Sequence, residues 1–334
     1  MKTLATLTSL VALSLAGVSA QRPADAPPTG PAGKAPDTVF LEDLTWAEAR
    51  DLVKGGTTTV IIGTAGTEQK GPHMVDGEHK FVLEYTADKI ARGLGKTLVA
   101  PIITYVPEGS WDPPSGHMGK PGTITLPEDR FVELLVSAGR SLKSGGFTMI
   151  LFVGESGGNR TGMRTAAAKL NELWKGEAKA FWVDDYYTKS HADQRTYITS
   201  KLGIPVDQIG GHANIQDTSE MLFVNAKHVR KNKLAPGGGY ENSGVSGDPT
   251  KATAELGKTF VQIKIDNALA QAKGLIAGTI QPAAAEAPGA AGPGGGGGGG
   301  RRAAGPAGNA PATPPGPTVA TAPAGISPSQ APDT

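Results

Sequence analysis

Four short apolar runs, each followed by a helical pattern, constrain the fold of this chain more than any other feature. They lie at residues 58–62, 97–106, 147–153 and 178–183. The runs are mainly apolar throughout instead of alternating with polar residues, which is typical of strands buried on both faces. Strands of this kind in alternation with helices predict an α/β fold, with a mostly parallel central sheet in a three-layer α/β/α arrangement.

Helical spacing of apolar residues predicts the helices between these strands. Thr45 is the predicted N-cap of the first helix, and glycine pairs follow the first and third helices. The predicted helices cover residues 44–53, 81–94, 127–142, 160–174, 191–202 and 250–277.

The N-terminus has the pattern of an export signal. Lys2 precedes a short apolar stretch at residues 4–18, and Val18-Ser19-Ala20 fits a small-residue cleavage site before Gln21. The apolar stretch is too short for a stable membrane span. We therefore expect an exported protein, periplasmic or secreted, with no membrane span after signal removal.

Composition divides the rest of the chain. Residues 1–20 are the predicted signal peptide, and residues 21–38 are a flexible linker rich in Pro, Ala and Gly. Residues 39–281 are predicted to form one α/β domain. Residues 282–334 form a Pro/Ala/Gly-rich tail, which we expect to be disordered.

The charge balance and the absence of cysteine exclude several functions. The 334-residue chain has a formal net charge of +1 and no cysteine. Because basic residues are neither in excess nor clustered, nucleic acid is not an expected partner. Disulfides, thiolate metal sites and a cysteine nucleophile are excluded.

Side chains with metal-binding chemistry are concentrated in loops after the predicted strands, beginning with the loop at residues 63–79. The candidates are Glu68, His73, His79, His117, Glu155 and His212. Because the carboxyl ends of parallel strands share one edge of a sheet, these loops can converge there. Their nitrogen and oxygen donors suit zinc or manganese, although no compact His-Glu-x-x-His motif is present.

The glycine-rich segment at residues 154–159 allows two other interpretations. It could bind phosphate at a helix N-terminus, but it lacks the Gly-Lys-Ser/Thr ending of a P-loop. Ser156 in Gly-Glu-Ser-Gly-Gly also resembles the nucleophile elbow of serine hydrolases. Asp184 or Asp185, and then His212, follow in the chain order of such a triad, so serine-hydrolase chemistry remains open.

Five segments in order resemble motifs of the creatininase (creatinine amidohydrolase) family. Residues 66–79, with Glu-Gln-Lys-Gly-Pro-His, correspond to the first motif, residues 154–159 to a glycine-rich motif and residues 212–219 to a His-Ala motif. The other two segments are residues 121–124 and 244–249. The resemblance implies a metal-dependent amidohydrolase of α/β/α fold, commonly a homo-oligomer and often a hexamer. Such enzymes use zinc or manganese, usually in a two-metal centre, on a non-peptide or cyclic C–N bond.

By position, this chain departs from the family at several ligands. Glu68 keeps a metal-ligand position, but Lys70 stands where the family has a ligand histidine. His79 takes the place of a bridging aspartate, and Ser156 that of another histidine. Because a protonated lysine cannot ligate a metal, the resemblance implies one ion rather than two.

The resemblance leads to a specific predicted site. The predicted metal ligands are Glu68, His79 and Glu155, around an ion that would activate water to attack a small amide or lactam. The predicted catalytic residues are His212, as proton donor to the leaving nitrogen, and Asp217, which orients it. Residues predicted to bind substrate or support the site are His73, His117, Ser156, Trp111 and Asp184. The alternative is a non-catalytic binding or scaffold protein whose metal site is degenerate.

Overall fold

The computed structural model describes residues 35–282 of the chain. The predicted signal peptide at residues 1–20, residues 21–34 of the predicted linker and the predicted tail from residue 283 onward lie outside the described residues.

Four parallel strands form the central sheet of this region: β1 (Thr59–Thr64), β2 (Thr97–Val99), β3 (Met149–Gly154) and β4 (Lys179–Trp182). Their order is β2-β1-β3-β4, and every neighbouring pair is parallel. The predicted parallel α/β fold is therefore confirmed.

The second apolar run forms a shorter strand than its composition suggests. The Ala100 N–H binds the Ile61 carbonyl at 2.8 Å, but the next bond to β1 comes from residue 103 and not from residue 102, so one extra residue interrupts the ladder. Beyond this point the chain stays beside β1 through single contacts, such as the Ile103 N–H to the Gly63 carbonyl at 2.9 Å. This irregular path brings the loop after β2 to the carboxyl end of β1.

Helices cover the sheet and continue beyond it. They are α1 (Trp46–Lys54), α2 (Glu78–Leu94), α3 (Glu128–Ser144), α4 (Arg160–Trp174), α5 (Thr188–Leu202), α6 (Val206–Ile209), α7 (Ile215–Asn225) and α8 (Ala254–Ala277). The predicted N-cap of α1 is confirmed, because the Thr45 hydroxyl accepts from the Glu48 N–H while the Glu48 carboxylate accepts from the Thr45 N–H. Within residues 35–282, no helix is both long and apolar enough to cross a membrane.

Two hydrophobic cores lie on opposite faces of the sheet. Ile62 in β1 packs with Phe131 of α3 and Leu170 of α4. Ile61, its neighbour, points the other way and packs with Leu83 of α2, in the core that also includes α8. Each such fully buried side chain stabilises the fold by about 1.5–3 kcal/mol, and the two cores give the predicted three layers.

Helix α7 lies very close to α8, and this contact positions the N-terminus of α7 near the carboxyl edge of the sheet. A Cβ added at Gly257 would lie 1.8 Å from the Ser219 carbonyl oxygen, so only glycine allows this approach. The first turn of α7 carries Asp217, and Asn214 caps it by accepting from the Gln216 and Asp217 N–H groups.

Candidate metal centre

A cavity of about 670 Å³ opens at the carboxyl ends of β1 and β3. Loops after β1, β2 and β3 form its wall, together with α5 and the turn before α7. Groups with metal-binding or acid–base chemistry that line it include Glu68, Glu108, His117, Ser156, His191 and His212. This edge is where open α/β sheets bind their ligands.

Glu68 lies among several imidazole nitrogens in this cavity and is almost fully buried. Its Oε2 is 3.3 Å from Nε2 of His117, and its Oε1 is 3.6 Å from Nδ1 of His212. One ligand atom from each of the three residues lies within 4.8 Å of the other two. A carboxylate oxygen and two imidazole nitrogens are donor types that zinc and manganese bind.

Gln69, the next residue, contacts both histidines. Its carbonyl oxygen accepts from Nε2 of His212 at 2.6 Å, so in the neutral ring the nitrogen facing Glu68 carries the lone pair. Its side-chain amide nitrogen lies 3.2 Å from Nδ1 of His117 and donates to the Gly244 carbonyl at 3.3 Å. The first contact orients His212 as a metal ligand. The second donates to Nδ1 of His117 and leaves the ring proton on Nε2, the nitrogen that faces Glu68, so a metal ion bound there would displace this proton.

The two histidines beside Glu68 are neutral at pH 7. Burial, reinforced by the Lys70 ammonium, lowers the pKa of His212 to about 4. Burial also lowers the pKa of His117 below its ordinary value. Neutral imidazole is the form that binds a metal ion.

Lys70 is buried beside this group, with 1% of its surface exposed. Its Nζ lies 3.1 Å from Glu68 Oε1, 3.1 Å from Glu78 Oε2 and 3.2 Å from Asp217 Oδ2. Burial alone would lower the pKa of Lys70, but the carboxylates of Asp217, Glu78 and Glu68 outweigh it and raise that pKa well above its usual value. Lys70 is therefore a permanent buried cation.

His79 is a second cation in this cluster. Its Nε2 lies 2.6 Å from Glu68 Oε1, and its Nδ1 lies 3.0 Å from Glu78 Oε2. Burial would lower the pKa of His79, but the two carboxylates prevail and raise it to about 10. A ring protonated on both nitrogens has no lone pair for a metal. In this structure His79 therefore forms ion pairs and is not the metal ligand that was predicted.

Glu108 adds a protonated carboxyl group to the cavity wall. Burial, and then the nearby Glu68 carboxylate, raise the pKa of Glu108 to about 10. The carboxyl group of Glu108 packs directly against Gly66, where a Cβ would lie 1.8 Å from Oε1. Glycine at position 66 therefore makes room for this acid.

The charges of the cluster leave it negative. Three carboxylates (Glu68, Glu78 and Asp217) face two cations (Lys70 and His79), so the sum is −3 + 2 = −1. Two neutral imidazoles adjoin this excess charge. The donor set and the charge together fit one divalent cation held by Glu68, His117 and His212.

Glu155, a predicted ligand, lines the same cavity but has other partners. Its carboxylate is bonded to the Lys264 ammonium and the Tyr186 hydroxyl, and Lys264 also pairs with Glu220 at 2.6 Å. All four side chains are buried. Glu155 thus belongs to a second lysine cluster at the cavity and not to the group of Glu68, His117 and His212.

Asp217 and Ser156, both predicted to take part in the site, lie at the cavity and have other partners. Asp217 pairs with Lys70 and accepts from the Ala213 N–H at 2.8 Å, whereas His212 Nε2 binds Gln69. The Ser156 hydroxyl accepts from the Gly158 N–H, and its backbone is extended at φ −112° and ψ 144°. That conformation is not the strained turn of a nucleophile elbow.

The remaining predicted residues lie away from Glu68. His73 is buried, with its Nε2 3.0 Å from the Thr218 hydroxyl. Trp111 is 57% exposed. Asp184 accepts hydrogen bonds from the Arg160 guanidinium at 3.3 Å and from the Thr188 hydroxyl at 2.6 Å.

Sequence reasoning missed Glu78, Glu108, Tyr187 and His191. The rings of Tyr187 and His191 stack at 4.2 Å and form one wall of the cavity. Glu108 follows Pro107 after the second apolar run, so the rule that ligands gather at strand ends could have found it. His191 lies inside a predicted polar helix, and no signal in the sequence marked it.

A family model described as creatininase, creatinine amidohydrolase, matches residues 42–271. Because this match covers more than half of the chain, the protein belongs to the creatininase family of hydrolases. The predicted family membership is confirmed.

Two relatives have assigned functions. The 3-dehydro-scyllo-inosose hydrolase of Thermotoga maritima is 27% identical over 190 residues, which are 56% of this chain and 56% of that enzyme. The mycofactocin precursor peptide peptidase of Mycolicibacterium smegmatis is 27% identical over 221 residues, covering 60% of this chain and 78% of that protein. The chain therefore spans little more than half the length of the first relative.

Solved creatininase structures share the fold. A creatinine amidohydrolase (creatininase) superimposes with a TM-score of 0.60 at 18% identity, covering 72% of this chain and 98% of the other. A creatininase variant described as Zn-Zn type gives a TM-score of 0.61 at 17% identity, with coverage of 72% and 99%. At these identities the likeness supports the fold alone.

Proposed function

We propose that this protein is a metal-dependent hydrolase that cleaves a non-peptide or cyclic C–N bond in a small molecule. The observation that carries the proposal is the convergence of Glu68, His117 and His212 at the floor of the cavity. Family membership supports the hydrolase class, and the size of the cavity suits a small amide or lactam.

The proposed cofactor is one zinc or manganese ion. Glu68, His117 and His212 would hold it, and when bound it supplies Lewis-acid activation of water. The described residues gather one such set of three ligands, and the Lys70 ammonium lies against its carboxylate. These features favour one ion over two.

The chain's own groups divide the remaining work. The Gln69 carbonyl accepts the N–H of His212, and the other ring nitrogen of His212 faces Glu68. His212, the predicted proton donor, therefore has no N–H directed at a substrate. Glu108 is the cavity-lining acid next to Glu68, and we propose that it donates the proton to the leaving nitrogen. Tyr187 and His191 form an apolar and aromatic wall that excludes water from one side of the substrate.

The names of the two relatives suggest where a substrate search should begin. One acts on an inosose derivative and the other on a precursor peptide. A panel for this chain should therefore contain small lactams, cyclic ureides, linear amides, cyclic ketones and short peptides. From the N-terminal pattern we propose an exported protein, and from the family resemblance a homo-oligomer.

The deciding experiment combines metal analysis with activity on this panel. We expect the purified protein, loaded with zinc or manganese and then dialysed, to retain about one ion per chain and to hydrolyse at least one compound. His117→Ala should lose both ion and activity, while His73→Ala, which alters a buried histidine outside the ligand group, should keep the ion. A wild-type protein that retains no ion and hydrolyses nothing would favour the non-catalytic scaffold.

A further inference from the structure

Lys70 is held in the manner of a metal ion. Its ammonium group lies within 3.1–3.2 Å of three carboxylates that come from separate segments of the chain. Glu68 is in the loop after β1, Glu78 begins α2, and Asp217 lies in the first turn of α7. The ammonium donates a hydrogen bond to Asp217 and forms ion pairs with Glu68 and Glu78.

Removal of this ammonium would leave an anionic pocket. The three carboxylate oxygens that now surround Nζ at 3.1–3.2 Å would then face one another, with no ammonium group between them. Buried charges of one sign are costly, and they are relieved by a cation of matching size. Carboxylate oxygens are also ligands that manganese binds.

The Lys70 position matches one at which the family resemblance places a metal-ligand histidine. A lysine there cannot ligate while protonated, and its side chain is long enough to place a positive charge among the remaining ligands. A second metal ion therefore does not fit this chain, because Lys70 fills the space and supplies the charge.

We propose that the Lys70 ammonium replaces the second ion of a two-metal centre, as a cation tethered to the chain. It acts as a positioning residue, because it holds Glu68 toward His117 and His212 and ties α2 and α7 to the cavity floor. The inference rests on the proposed metal site at Glu68, and it makes a separate claim about the number of ions.

Two substitutions separate the charge of Lys70 from its volume. Lys70→Ala removes the ammonium and opens space among the carboxylates, so we expect retention to rise from one manganese ion per chain to two. Lys70→Met fills the same space without charge and should stay at one ion or fewer. The measurement is metal content after loading with manganese chloride and dialysis.

Spectroscopy and thermal unfolding give readouts that a merely structural lysine would not change. Two manganese ions sharing Glu68 would lie close enough to couple, so Lys70→Ala should show a spin-coupled electron paramagnetic resonance signal that the wild type lacks. Added manganese should also raise the unfolding temperature of Lys70→Ala by more degrees than that of the wild type.

A further variant keeps the test decisive if Lys70→Ala folds poorly. Lys70→His restores a neutral ligand type at this position and should also retain two ions. Adding Glu78→Gln to either variant should return the count to one, because Glu78 is outside the Glu68, His117 and His212 group.

The outcomes distinguish this inference from the proposed function. One ion in the wild type and two in Lys70→Ala or Lys70→His support both. One ion in the wild type and in both variants overturns the role of Lys70 and leaves the proposed function standing. Two ions in the wild type also overturn it, and no ion in any protein overturns the proposed metal site itself.

Discussion

Two lysines in this molecule are buried to the same extent, but one adjoins the candidate metal centre and the other belongs to a structural ion-pair cluster. Lys70 and Lys264 are each 1% exposed, and each is held by acidic side chains. Lys264 pairs with Glu155 and with Glu220, whose pKa is raised to about 8 by burial, which outweighs Lys264, and by Glu155. With Glu220 protonated at pH 7, this cluster is neutral, as expected of a structural ion pair.

The Lys70 cluster is not balanced in this way. It carries one more negative than positive charge and adjoins two neutral histidines at the cavity. Burial of a lysine among carboxylates is therefore not enough to identify a metal site. The uncompensated charge and the two adjoining histidines distinguish the candidate metal centre.

The largest expected effect is a difference in metal content and activity between two glutamate-to-glutamine variants, one in each cluster. Glu68→Gln removes the only carboxylate in the Glu68, His117 and His212 group, so we expect loss of the bound ion and a fall in activity of more than about 100-fold. Glu155→Gln, the matched control, should retain the ion. Metal analysis and steady-state kinetics are the measurements, and equal loss of metal in both variants would contradict the distinction between the clusters.

Lys264→Met should affect stability and leave metal content unchanged. The substitution leaves Glu155 buried beside Glu220 without its cationic partner. Removal of one member of a buried ion pair lowers the free energy of unfolding by about 3–5 kcal/mol. Chemical denaturation of the metal-loaded protein measures this. The double variant Lys264→Met/Glu155→Gln should recover part of the loss, since it removes both charges, and no recovery would argue against the pairing.

The two clusters should lose stability with rising pH over different ranges. A pKa raised in the folded state means that folding is favoured while the group is protonated, and this contribution is lost as pH rises through the folded value. For His79 the range runs from 6.5 to about 10, and for Glu220 from 4.5 to about 8. Each pKa unit corresponds to about 1.4 kcal/mol.

We therefore expect His79→Gln to flatten the fall in unfolding free energy above pH 8, and Glu220→Gln to flatten it between pH 4.5 and 8. Denaturation at a series of pH values tests both. A wild-type stability that rises through pH 8–10 would show that His79 is not held as a cation.

Ser156→Ala should have the smallest effect. Ser156 directly follows Glu155 and lines the cavity, but its hydroxyl caps the Gly158 N–H. Loss of that cap costs about 0.5–2 kcal/mol, and activity should stay within about threefold of the wild type. Loss of a catalytic serine would instead lower kcat by about 10⁶-fold, so kinetics with a fluorophosphonate labelling control separates the two cases.

Much of the fold could be predicted from local pattern. Apolar runs located the strands, and Thr45 located a helix start, because burial on both faces and N-capping depend on neighbouring residues in the sequence. The second strand is shorter than predicted, since one extra residue between Ala100 and Ile103 interrupts its ladder with β1. The candidate site was predictable only in outline: Glu68 could be found from its loop after β1.

His117 and His212 were also among the candidates, but the role of each residue around Glu68 could not be predicted in the same way. Lys264 reaches Glu155 across 109 positions of sequence, and Lys70 reaches Asp217 across 147. Whether a histidine is a ligand or a cation depends on these long-range charges, which raise the pKa of His79 and lower that of His212. Sequence spacing does not contain that information.

The contact between Gln69 and Gly244 has a consequence for how the site can vary. Gly244 has φ +90°, and a Cβ there would lie 1.8 Å from the Gln69 side-chain oxygen. A single methyl group at position 244 would therefore turn the amide that contacts His117, although it touches no metal-binding atom. The orientation of His117 therefore depends on a segment more than a hundred residues away in the sequence. A substitution of Gly244 in that segment would disturb the candidate centre without changing any of its ligands.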